Sequence, residues 1–327
     1  MKNDQKICLT VNCAPHIHTQ ESVAKIMWTV FFCLIPAGIV SIYIFGWACL
    51  WIMLTAVLSA GFTEYLSCVL QKKKSTLADG SAFLTGLLLA YNLPPHSPLW
   101  MVFLGSFVAI LFGKVLFGGL GSNIFNPALV GRVFLVVSFP ALMTHWPKPF
   151  SVDAVTAPTP LAIFKDGFSG TNVLADLSVN SYSYLDLFLG FRGGCIGEVC
   201  IIALLSGALY LLVKGYISWH IPVSFIGTVA IFSWIFAGGT FFRGDFIFHL
   251  LCGGLILGAF FMATDYVTGP MTKKGKLIFG VGCGLITSVI RLWGGYPEGV
   301  SFSILIMNAA APLIDRFTMP KVFGKLK

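Results

Sequence analysis

The sequence predicts an all-α polytopic membrane protein with about ten transmembrane helices. Hydrophobic residues make up 57% of the 327 residues and charged residues only 10%, with a mean hydropathy of +0.86. So few charges cannot solvate a globule of this size, whereas a chain in lipid needs few. The net charge of +8 does not indicate nucleic-acid binding, because the basic residues form short clusters between apolar segments, as they do in membrane proteins.

The first five predicted spans precede a long polar segment. A transmembrane helix needs about 20 mostly apolar residues, and the sequence offers Met27–Phe45, Trp47–Leu70, Gly80–Leu93, Leu99–Phe117 and Ile124–Met143. The third of them ends in Ala90-Tyr-Asn-Leu-Pro-Pro-His96. Because proline cannot continue a helix, this ending predicts a broken span.

Five more predicted spans follow the polar segment. They are Cys195–Val213, Ile221–Ala237, Phe246–Ala263, Leu277–Trp293 and Val300–Ile314. The third of this group also ends in a polar, proline-containing stretch, Ala263-Thr-Asp-Tyr-Val-Thr-Gly-Pro270. Interrupted segments at equivalent places in two halves point to a binding site between the halves.

Five spans on each side of the polar segment predict an inverted repeat, because an odd number of spans turns the second half upside down. Asn126-Pro-Ala-Leu-Val-Gly-Arg132 in the fifth span has a partial echo in Asn308-Ala-Ala-Ala-Pro-Leu-Ile-Asp-Arg316 in the tenth. The predicted organisation is an N-terminal segment (1–26), a first repeat (27–143), a loop (144–194), a second repeat (195–316) and a tail (317–327).

The distribution of basic residues predicts the orientation in the bilayer. With a cytoplasmic N-terminus, the inner side receives Lys25, Lys72, Lys73, Lys74, Lys114, Lys214, Lys273, Lys274, Lys276, Arg316, Lys321, Lys325 and Lys327. The outer side receives only Lys148, Lys165, Arg192, Arg243 and Arg291. The positive-inside rule therefore predicts cytoplasmic N- and C-termini and places loop 144–194 outside.

Ionisable and amide side chains in the spans are functional candidates, because a charge in hydrocarbon costs several kcal/mol. Asn123, Asn126 and Arg132 lie close in sequence, and either hold a polar or anionic ligand or form an interhelical hydrogen-bond cluster. Glu64 and Glu198 are candidates for an ion pathway. Glu198 begins the sixth span, where it would equally extend to water.

Metal, hydrolytic and nucleotide chemistry find no support in the sequence. Seven of the nine cysteines lie in or beside apolar spans, where cysteine behaves as a small apolar residue. Cys8 and Cys13 match no common metal or redox spacing. No P-loop, zinc spacing or nucleophile with its base is present, so we expect no metal site and no nucleotide-driven pump.

Ser151-Val-Asp-Ala-Val-Thr-Ala-Pro-Thr-Pro-Leu-Ala162 is the most polar and proline-broken stretch. It lies in the long loop that no apolar span absorbs, and it offers two closely spaced hydroxyls, Thr156 and Thr159. Irregular loops of this length are functional or disordered. From the residues alone, an external linker and a cofactor-bearing loop both remain open.

Asp153-Ala-Val-Thr-Ala-Pro-Thr-Pro-Leu161 resembles the flavin-attachment motif, Ser/Thr-Gly-Ala-Thr, of a family of membrane proteins. The family comprises the D subunit of the Rnf electron-transport complex and the B subunit of the sodium-pumping NADH:quinone oxidoreductase. The similarity extends to Asn123-Ile-Phe-Asn-Pro-Ala128, Gly193-Gly-Cys-Ile-Gly-Glu198 and Ala263-Thr-Asp265, so it covers nearly the whole chain. The chain's length favours a resemblance to the D subunit of the Rnf complex over one to the B subunit of the sodium-pumping NADH:quinone oxidoreductase.

The resemblance implies FMN esterified through its phosphate to Thr159, with Thr156 and Asp153 ordering the loop. One departure is that Ala157-Pro158 replaces the motif's Gly-Ala, and proline restricts the backbone there. The sodium-pumping relative also holds riboflavin noncovalently, and for this chain Asn123, Asn126, Arg132 and Asp265 would be its site. Whether a second flavin binds stays open.

The resemblance further implies a multisubunit Rnf complex in the inner membrane that passes electrons between ferredoxin and NAD, coupled to Na+ or H+ movement. The implied partners are the A and E membrane subunits, the flavin-carrying G subunit, and the B and C iron-sulfur subunits. A redox-free channel or carrier for a small solute is the alternative, because broken inverted repeats also occur in transporters.

Overall fold

The computed structural model describes residues 21–73, 76–147, 149–150, 158–168, 183–238 and 240–320, with the backbone alone for 166–168. These residues form helices and connecting segments without a β-strand. The helices are α1 (Val23–Phe45), α2 (Trp47–Leu70), α3 (Ser81–Tyr91), α4 (Leu99–Ile110), α5 (Pro127–Ser138), α6 (Pro140–Met143), α7 (Pro160–Phe168), α8 (Tyr184–Leu189), α9 (Ile201–Val213), α10 (His220–Phe236), α11 (Phe246–Leu251), α12 (Leu255–Leu257), α13 (Lys273–Trp293) and α14 (Val300–Thr318). Single 3₁₀ turns lie at Leu77–Asp79 and Ile196–Glu198, and π-helical turns extend α4 over Leu111–Val115 and α12 over Gly258–Met262.

Four helices, α1, α2, α13 and α14, are long and apolar enough to cross a membrane. At 1.5 Å per residue, helices of 19 to 24 residues match a hydrocarbon core about 30 Å thick. Shorter apolar helices, α3, α5, α9, α10 and α4 with its π-helical turn, accompany them. The prediction of an all-α polytopic membrane protein is confirmed, whereas the count of ten spans and the repeat stay predictions.

Several helices begin at capping residues that the apolar pattern does not reveal. Ser22 accepts a hydrogen bond from the Lys25 N–H at 3.2 Å, so α1 starts four residues before the predicted Met27. Asn126 caps α5 and Pro127 fills its first position, so α5 begins later than the predicted Ile124. Side-chain caps satisfy the free N–H groups of a first turn, and they fix where each helix starts.

The eighth predicted span, Phe246–Ala263, is interrupted at a place that the sequence analysis did not foresee. The chain leaves α11 at Cys252 and resumes in α12 at Leu255. Gly253 between them has a φ of 73°, a left-handed conformation that glycine adopts without a Cβ clash. The interruption leaves backbone groups at Cys252 and Gly254 free to bind other side chains.

The two predicted breaks meet in the core. Asn92, which follows α3, points its amide nitrogen at the Met262 sulfur, 3.6 Å away. Asn126 donates to the Met262 carbonyl at 3.2 Å. Met262 ends the π-helical turn after α12, so the broken third and eighth segments and the start of α5 share one contact point.

The described parts of loop 144–194 include two helices, α7 and α8. Leu161 of α7 packs with Leu187 and Cys252 in a small buried cluster. The ring of Phe164 meets His249 edge-on at 4.7 Å between centroids. Lys165 donates to the Tyr296 carbonyl at 2.9 Å and also to that of Gly294. These contacts dock α7 on the second half of the chain.

Helix pairing follows the same order in both halves. In the first half α2 packs against α3 and α4, and α4 packs against α5. In the second half α10 packs against α11 and α13, and α13 packs against α14. One continuous apolar core joins the halves, with members from α1, α3, α5, α10 and α14 such as Leu34, Leu89, Leu129, Phe225 and Ile304.

Candidate functional site

Thr159 stands directly before α7, with its side chain capping the helix. Its Oγ1 accepts a hydrogen bond from the Ala162 N–H at 3.2 Å, and its carbonyl accepts from the Ile163 N–H at 3.0 Å. The hydroxyl proton is not used in either bond. Because a helix N-terminus carries free N–H groups and partial positive charge, it favours an anion at this position.

Thr159 lines a cavity with about 320 Å³ of empty volume. The other lining residues are Trp146, Pro160, Leu161, Arg192, Gly193, Glu198, Gly253, Pro297 and Glu298. They come from the segment after α6, from α7, from the segment before α9, from the interruption after α11 and from the loop before α14. We call this space the Thr159 cavity.

Arg132 of α5 lies beside this cavity, among partners from both halves. It donates to the Asn92 side-chain oxygen at 2.6 Å and to the Ser301 hydroxyl at 2.9 Å, and it forms an ion pair with Glu298. Its guanidinium also lies 3.8 Å from the Cys195 sulfur. The sequence leaves two roles open for Arg132, an interhelical hydrogen-bond cluster and an anion-binding site. These four partners are the ones that such a cluster would have.

Two further buried arginines adjoin the same carboxylates. Arg291 of α13 donates to the carbonyls of His249 at 2.6 Å and Cys252 at 3.1 Å, which the interruption after α11 leaves free. Arg192 donates to the Glu198 carbonyl at 3.1 Å. Both side chains are almost fully buried, at 2% and 1% exposure.

Glu198 and Glu298 form a carboxyl pair in the middle of these arginines. Their oxygens and the Cys195 sulfur lie within 4.8 Å of one another. Burial disfavours ionisation of Glu298, but the Arg132 guanidinium, the neighbouring Glu198 carboxyl and the Gly254 N–H together lower its pKa. The surrounding groups therefore favour Glu298 as the charged member of the pair.

Trp146, Pro297 and Glu298 also line a second cavity, of about 500 Å³. Its walls include Arg132, Tyr296 and Phe302, and the rings of Tyr296 and Phe302 are stacked with centroids 5.3 Å apart. We call it the aromatic cavity. Flat apolar walls with a few fixed polar groups are typical of cofactor sites.

A third space, with about 770 Å³ of empty volume, lies at the other end of α1. Its lining includes Asn123, Asn126 and Asp265, three of the four residues predicted to surround a second flavin. Arg132, the fourth, does not line it, because it is held in the arginine and carboxyl cluster. The Asn123 Oδ1 is buried without a hydrogen-bond partner among the described residues. We call this space the Asn123 cleft.

The Asn123 cleft and the Thr159 cavity occupy different levels along α1. Val30 lines the cleft, whereas Ser41 donates to the carbonyl of Ile196, beside Glu198, at 2.6 Å. At 1.5 Å per residue, Val30 and Ser41 are about 16 Å apart along the helix axis. The two sites are therefore separate.

Glu64, predicted as an ion-pathway residue, forms a buried ion pair with Lys114. The Lys114 Nζ lies 2.7 Å from both carboxylate oxygens and 2.8 Å from the Ser81 hydroxyl. Thr76 also donates to Glu64. Asp265 accepts from the Thr268 hydroxyl at 3.2 Å within its own turn. Asp153 and Thr156 lie outside the residues that the structure describes.

Arg192, Glu298 and Asn92 are functional candidates that sequence reasoning missed. Arg192 was assigned only to the outer set of basic residues, and Glu298 lies in a short glycine-containing turn between two spans. For Arg192 and Glu298 the signal available in the sequence is their charge near predicted span ends, where an ionisable group is costly without a partner. Nothing in the sequence reveals that Asn92 and Glu298 bind Arg132 or that Arg192 lies beside Glu198.

Ionisable residues buried inside a helical membrane protein typically mark pathways for substrates, ions or protons, so this cluster points to the class of transport proteins. Comparison with known proteins narrows the class, because the model of the NQR2, RnfD, RnfE family matches residues 10–324. The chain therefore belongs to this family.

The chain is similar over nearly its full length to three curated relatives. It is 51% identical over 324 residues to the D subunit of the proton-translocating ferredoxin:NAD(+) oxidoreductase complex of Clostridium ljungdahlii, covering 98% of this chain and 97% of the relative. It is 47% identical over 321 residues to the D subunit of the Na(+)-translocating ferredoxin:NAD(+) oxidoreductase complex of Acetobacterium woodii, covering 98% and 96%. It is 38% identical to the D subunit of the ion-translocating oxidoreductase complex of Escherichia coli strain SE11, covering 96% and 98%.

Proposed function

We propose that this chain is the D subunit of an ion-translocating ferredoxin:NAD+ oxidoreductase and that it carries FMN on Thr159. The relatives that are named as the D subunits of such complexes support the first part. Their names favour this reading over the B-type subunit of an NADH:quinone oxidoreductase and over a redox-free carrier. Both proton- and Na+-translocating relatives are similar to this chain, so the transported ion stays open.

The carrying observation for the flavin is the position of Thr159. No acceptor for its hydroxyl proton lies among the described residues, the helix N-terminus behind it favours an anion, and the side chain lines a cavity. The aromatic cavity shares Trp146, Pro297 and Glu298 with the Thr159 cavity. The residues present therefore fit a flavin nucleotide: Thr159 would hold its phosphate, and Trp146 and Tyr296 would offer apolar walls for its ring.

Bound FMN would supply reversible one- and two-electron transfer. The chain's own residues hold and orient it: α7 fixes the Thr159 oxygen, and Lys165 ties α7 to the loop that carries Tyr296. Arg132 lines the aromatic cavity, and its contacts with Glu298 and Asn92 hold its side chain in place there. A covalent link suits a cofactor outside the cytoplasm, where a lost flavin could not be replaced.

The remaining predictions complete this proposal. The protein lies in the inner membrane with both termini cytoplasmic, loop 144–194 faces outward, and the chain forms a five-plus-five inverted repeat. The like order of helix pairs in both halves supports the repeat. The two segments of the sequence echo are also in contact, which further supports the repeat. With the Asn308 amide oriented so that its nitrogen and its oxygen both have partners, its oxygen accepts a hydrogen bond from the Asn126 N–H at 3.1 Å.

Within the complex we expect contacts with the A and E membrane subunits, and electron exchange involving the flavin-carrying G subunit and the B and C iron-sulfur subunits. A second, noncovalent flavin, riboflavin, fits the Asn123 cleft, where Asn123, Asn126 and Asp265 offer amide and carboxylate groups. Glu198 and Glu64 remain candidates for the ion pathway, and their present partners are Glu298 and Lys114.

In-gel fluorescence tests the covalent flavin. The complex is purified from cells that possess the flavin-attaching enzyme, denatured, and its subunits are viewed under ultraviolet light. We expect a fluorescent band for this chain that disappears in Thr159→Val and persists in the matched control Thr156→Val. A dark band for the wild-type chain would overturn the proposal.

A further inference from the structure

Arg192 is a buried arginine whose hydrogen-bonding capacity is largely unused. Its side chain is 1% exposed, and only one nitrogen, Nη2, has an oxygen partner, the Glu198 carbonyl at 3.1 Å. The Nε and Nη1 atoms have no partner among the described residues. The Cys252 thiol lies beside the guanidinium, but sulfur is a weak acceptor. A buried donor left unsatisfied destabilises the protein, and more so when it is charged.

Among the residues that the structure describes, the cluster around Arg192 is also short of negative charge. Arg132, Arg192 and Arg291 bring three positive charges, and the acids beside them are Glu198 and Glu298. Even if both carboxyls are ionised, they supply two negative charges against these three positive charges. Arg132 takes the charge of Glu298 through their ion pair. An isolated buried charge is costly, and a further anion would relieve the excess.

Arg192 and Thr159 line the same cavity, so the missing anion and the attachment point coincide. We infer that Arg192 is the phosphate-binding residue of the Thr159 site, pairing through Nε and Nη1 with the phosphodiester of the attached flavin. This inference rests on the proposed function of Thr159. A phosphodiester carries one negative charge and two unesterified oxygens, which match the two free donors of a guanidinium fork.

Arg192 is thus a positioning residue that fixes the phosphate, while α7 fixes the ester oxygen from the other side. The Leu161 side chain and Gly253 close the cavity between them. Gly253 has no room for a side chain, because a Cβ there would lie 2.9 Å from both Arg291 Nη2 and Leu161 Cδ1. The phosphate site is therefore built from packed residues and not from an exposed loop.

The test compares FMN with riboflavin, which differ only in the phosphate, in the purified intact complex carrying Thr159→Val. This variant removes the covalent link and leaves Arg192 in place. Labelled FMN is bound, and increasing riboflavin is added to displace it. We expect that displacing the labelled FMN takes about ten- to a hundredfold more riboflavin than unlabelled FMN, because only FMN makes charge-assisted hydrogen bonds through its phosphate.

Adding Arg192→Gln to Thr159→Val should bring the required ratio close to one, and Arg192→Lys should give an intermediate ratio. Arg243→Gln is the matched control, because Arg243 is exposed and lines none of the three cavities described above; it should leave the ratio unchanged. If FMN and riboflavin compete equally with Arg192 present, or if FMN does not bind at all, the inference is overturned without any Arg192 variant having to fold.

The two proposals fail in different ways. A wild-type complex without covalent flavin contradicts the role of Thr159. A wild-type complex with covalent flavin, together with a phosphate preference that survives Arg192→Gln, contradicts the role of Arg192 alone. Size-exclusion chromatography of each variant complex shows that the comparison is made between assembled proteins.

Discussion

Arg132 of α5 forms a buried ion pair with Glu298 in the loop before α14, although 166 residues separate them in the chain. The pair joins the two halves of the protein at the wall of the aromatic cavity. The Asn92 side-chain oxygen and the Ser301 hydroxyl also accept hydrogen bonds from Arg132, so one guanidinium joins the end of α3, α5 and the start of α14.

Breaking this pair should destabilise the protein strongly. Arg132→Gln or Glu298→Gln leaves an uncompensated buried charge, which costs about 3–5 kcal/mol. We expect the double variant to cost less than the sum of the two single variants, because it leaves neither charge unpaired. Denaturant titration of each purified variant in detergent measures its unfolding free energy.

The exposed ion pair between Glu21 and Lys25 is the control. Its atoms lie 2.7 Å apart, with side-chain exposures of 42% and 52%, and such surface pairs contribute at most about 1 kcal/mol. Lys25→Gln should therefore change the unfolding free energy little. Equal effects of Lys25→Gln and Arg132→Gln would contradict the importance given to the buried pair.

Much of the fold could be predicted from the sequence, because lipid imposes long apolar runs and internally satisfied backbones. Trp47–Leu70 was predicted with the bounds that the structure gives it. The interruption at Gly253 was missed, because a glycine within an apolar run equally indicates close helix packing. The partners of Arg132 could not be predicted, because Asn92, Ser301 and Glu298 meet it only through tertiary packing.

The site was predicted unevenly for the same reason. The sequence motif singles out Thr159, and the structure adds the cavity in front of it. Asn123, Asn126 and Asp265 were grouped from the resemblance and share the Asn123 cleft. The only local signal of Arg192 is its charge near a predicted span end. Its role depends on two nitrogens that have no partner among the described residues, and only the folded chain brings them into the cavity that Thr159 lines.

Gly253→Ala should reduce flavin attachment beyond its effect on stability. At a φ of 73°, an alanine costs about 1–2 kcal/mol from backbone strain alone. Its Cβ would also press on Leu161 of α7 and on Arg291, which displaces the wall of the Thr159 cavity. In-gel flavin fluorescence per protein should fall.

Gly215→Ala separates the two effects of that substitution. Gly215 has the same φ of 73°, but a Cβ there meets nothing within 4 Å. We expect a similar loss of stability with normal flavin fluorescence. If both variants lose fluorescence equally, backbone strain and not the contact with Leu161 is responsible.

Asn123→Leu should abolish noncovalent flavin binding while leaving the fold intact. The Asn123 Oδ1 has no partner among the described residues, so its removal takes away an unsatisfied buried acceptor and should be neutral or stabilising. Acid extraction of the purified complex followed by chromatography detects riboflavin. Riboflavin retained at the wild-type level in Asn123→Leu would exclude the Asn123 cleft as its site, and the Thr159-linked band serves as the internal control.

Loop 144–194 should react from outside the cell. A cysteine introduced at Asn180 is expected to be labelled by an impermeant thiol reagent added to intact cells, because the lysine distribution places this loop outside. A cysteine introduced at Lys274, in the predicted inner loop between Phe246–Ala263 and Leu277–Trp293, should react only after the cells are opened. The reverse pattern would invert the orientation.

Peptide mapping by mass spectrometry tests the central claim most directly. The wild-type complex is digested, and the peptide containing Thr159 is sequenced by fragmentation. We predict that this peptide carries the mass of FMN less one water, with the added mass on Thr159 and none on Thr156. An unmodified Thr159 in a complex that carries its other flavins, or an FMN found on Thr156, would contradict the assignment of this threonine as the flavin attachment site.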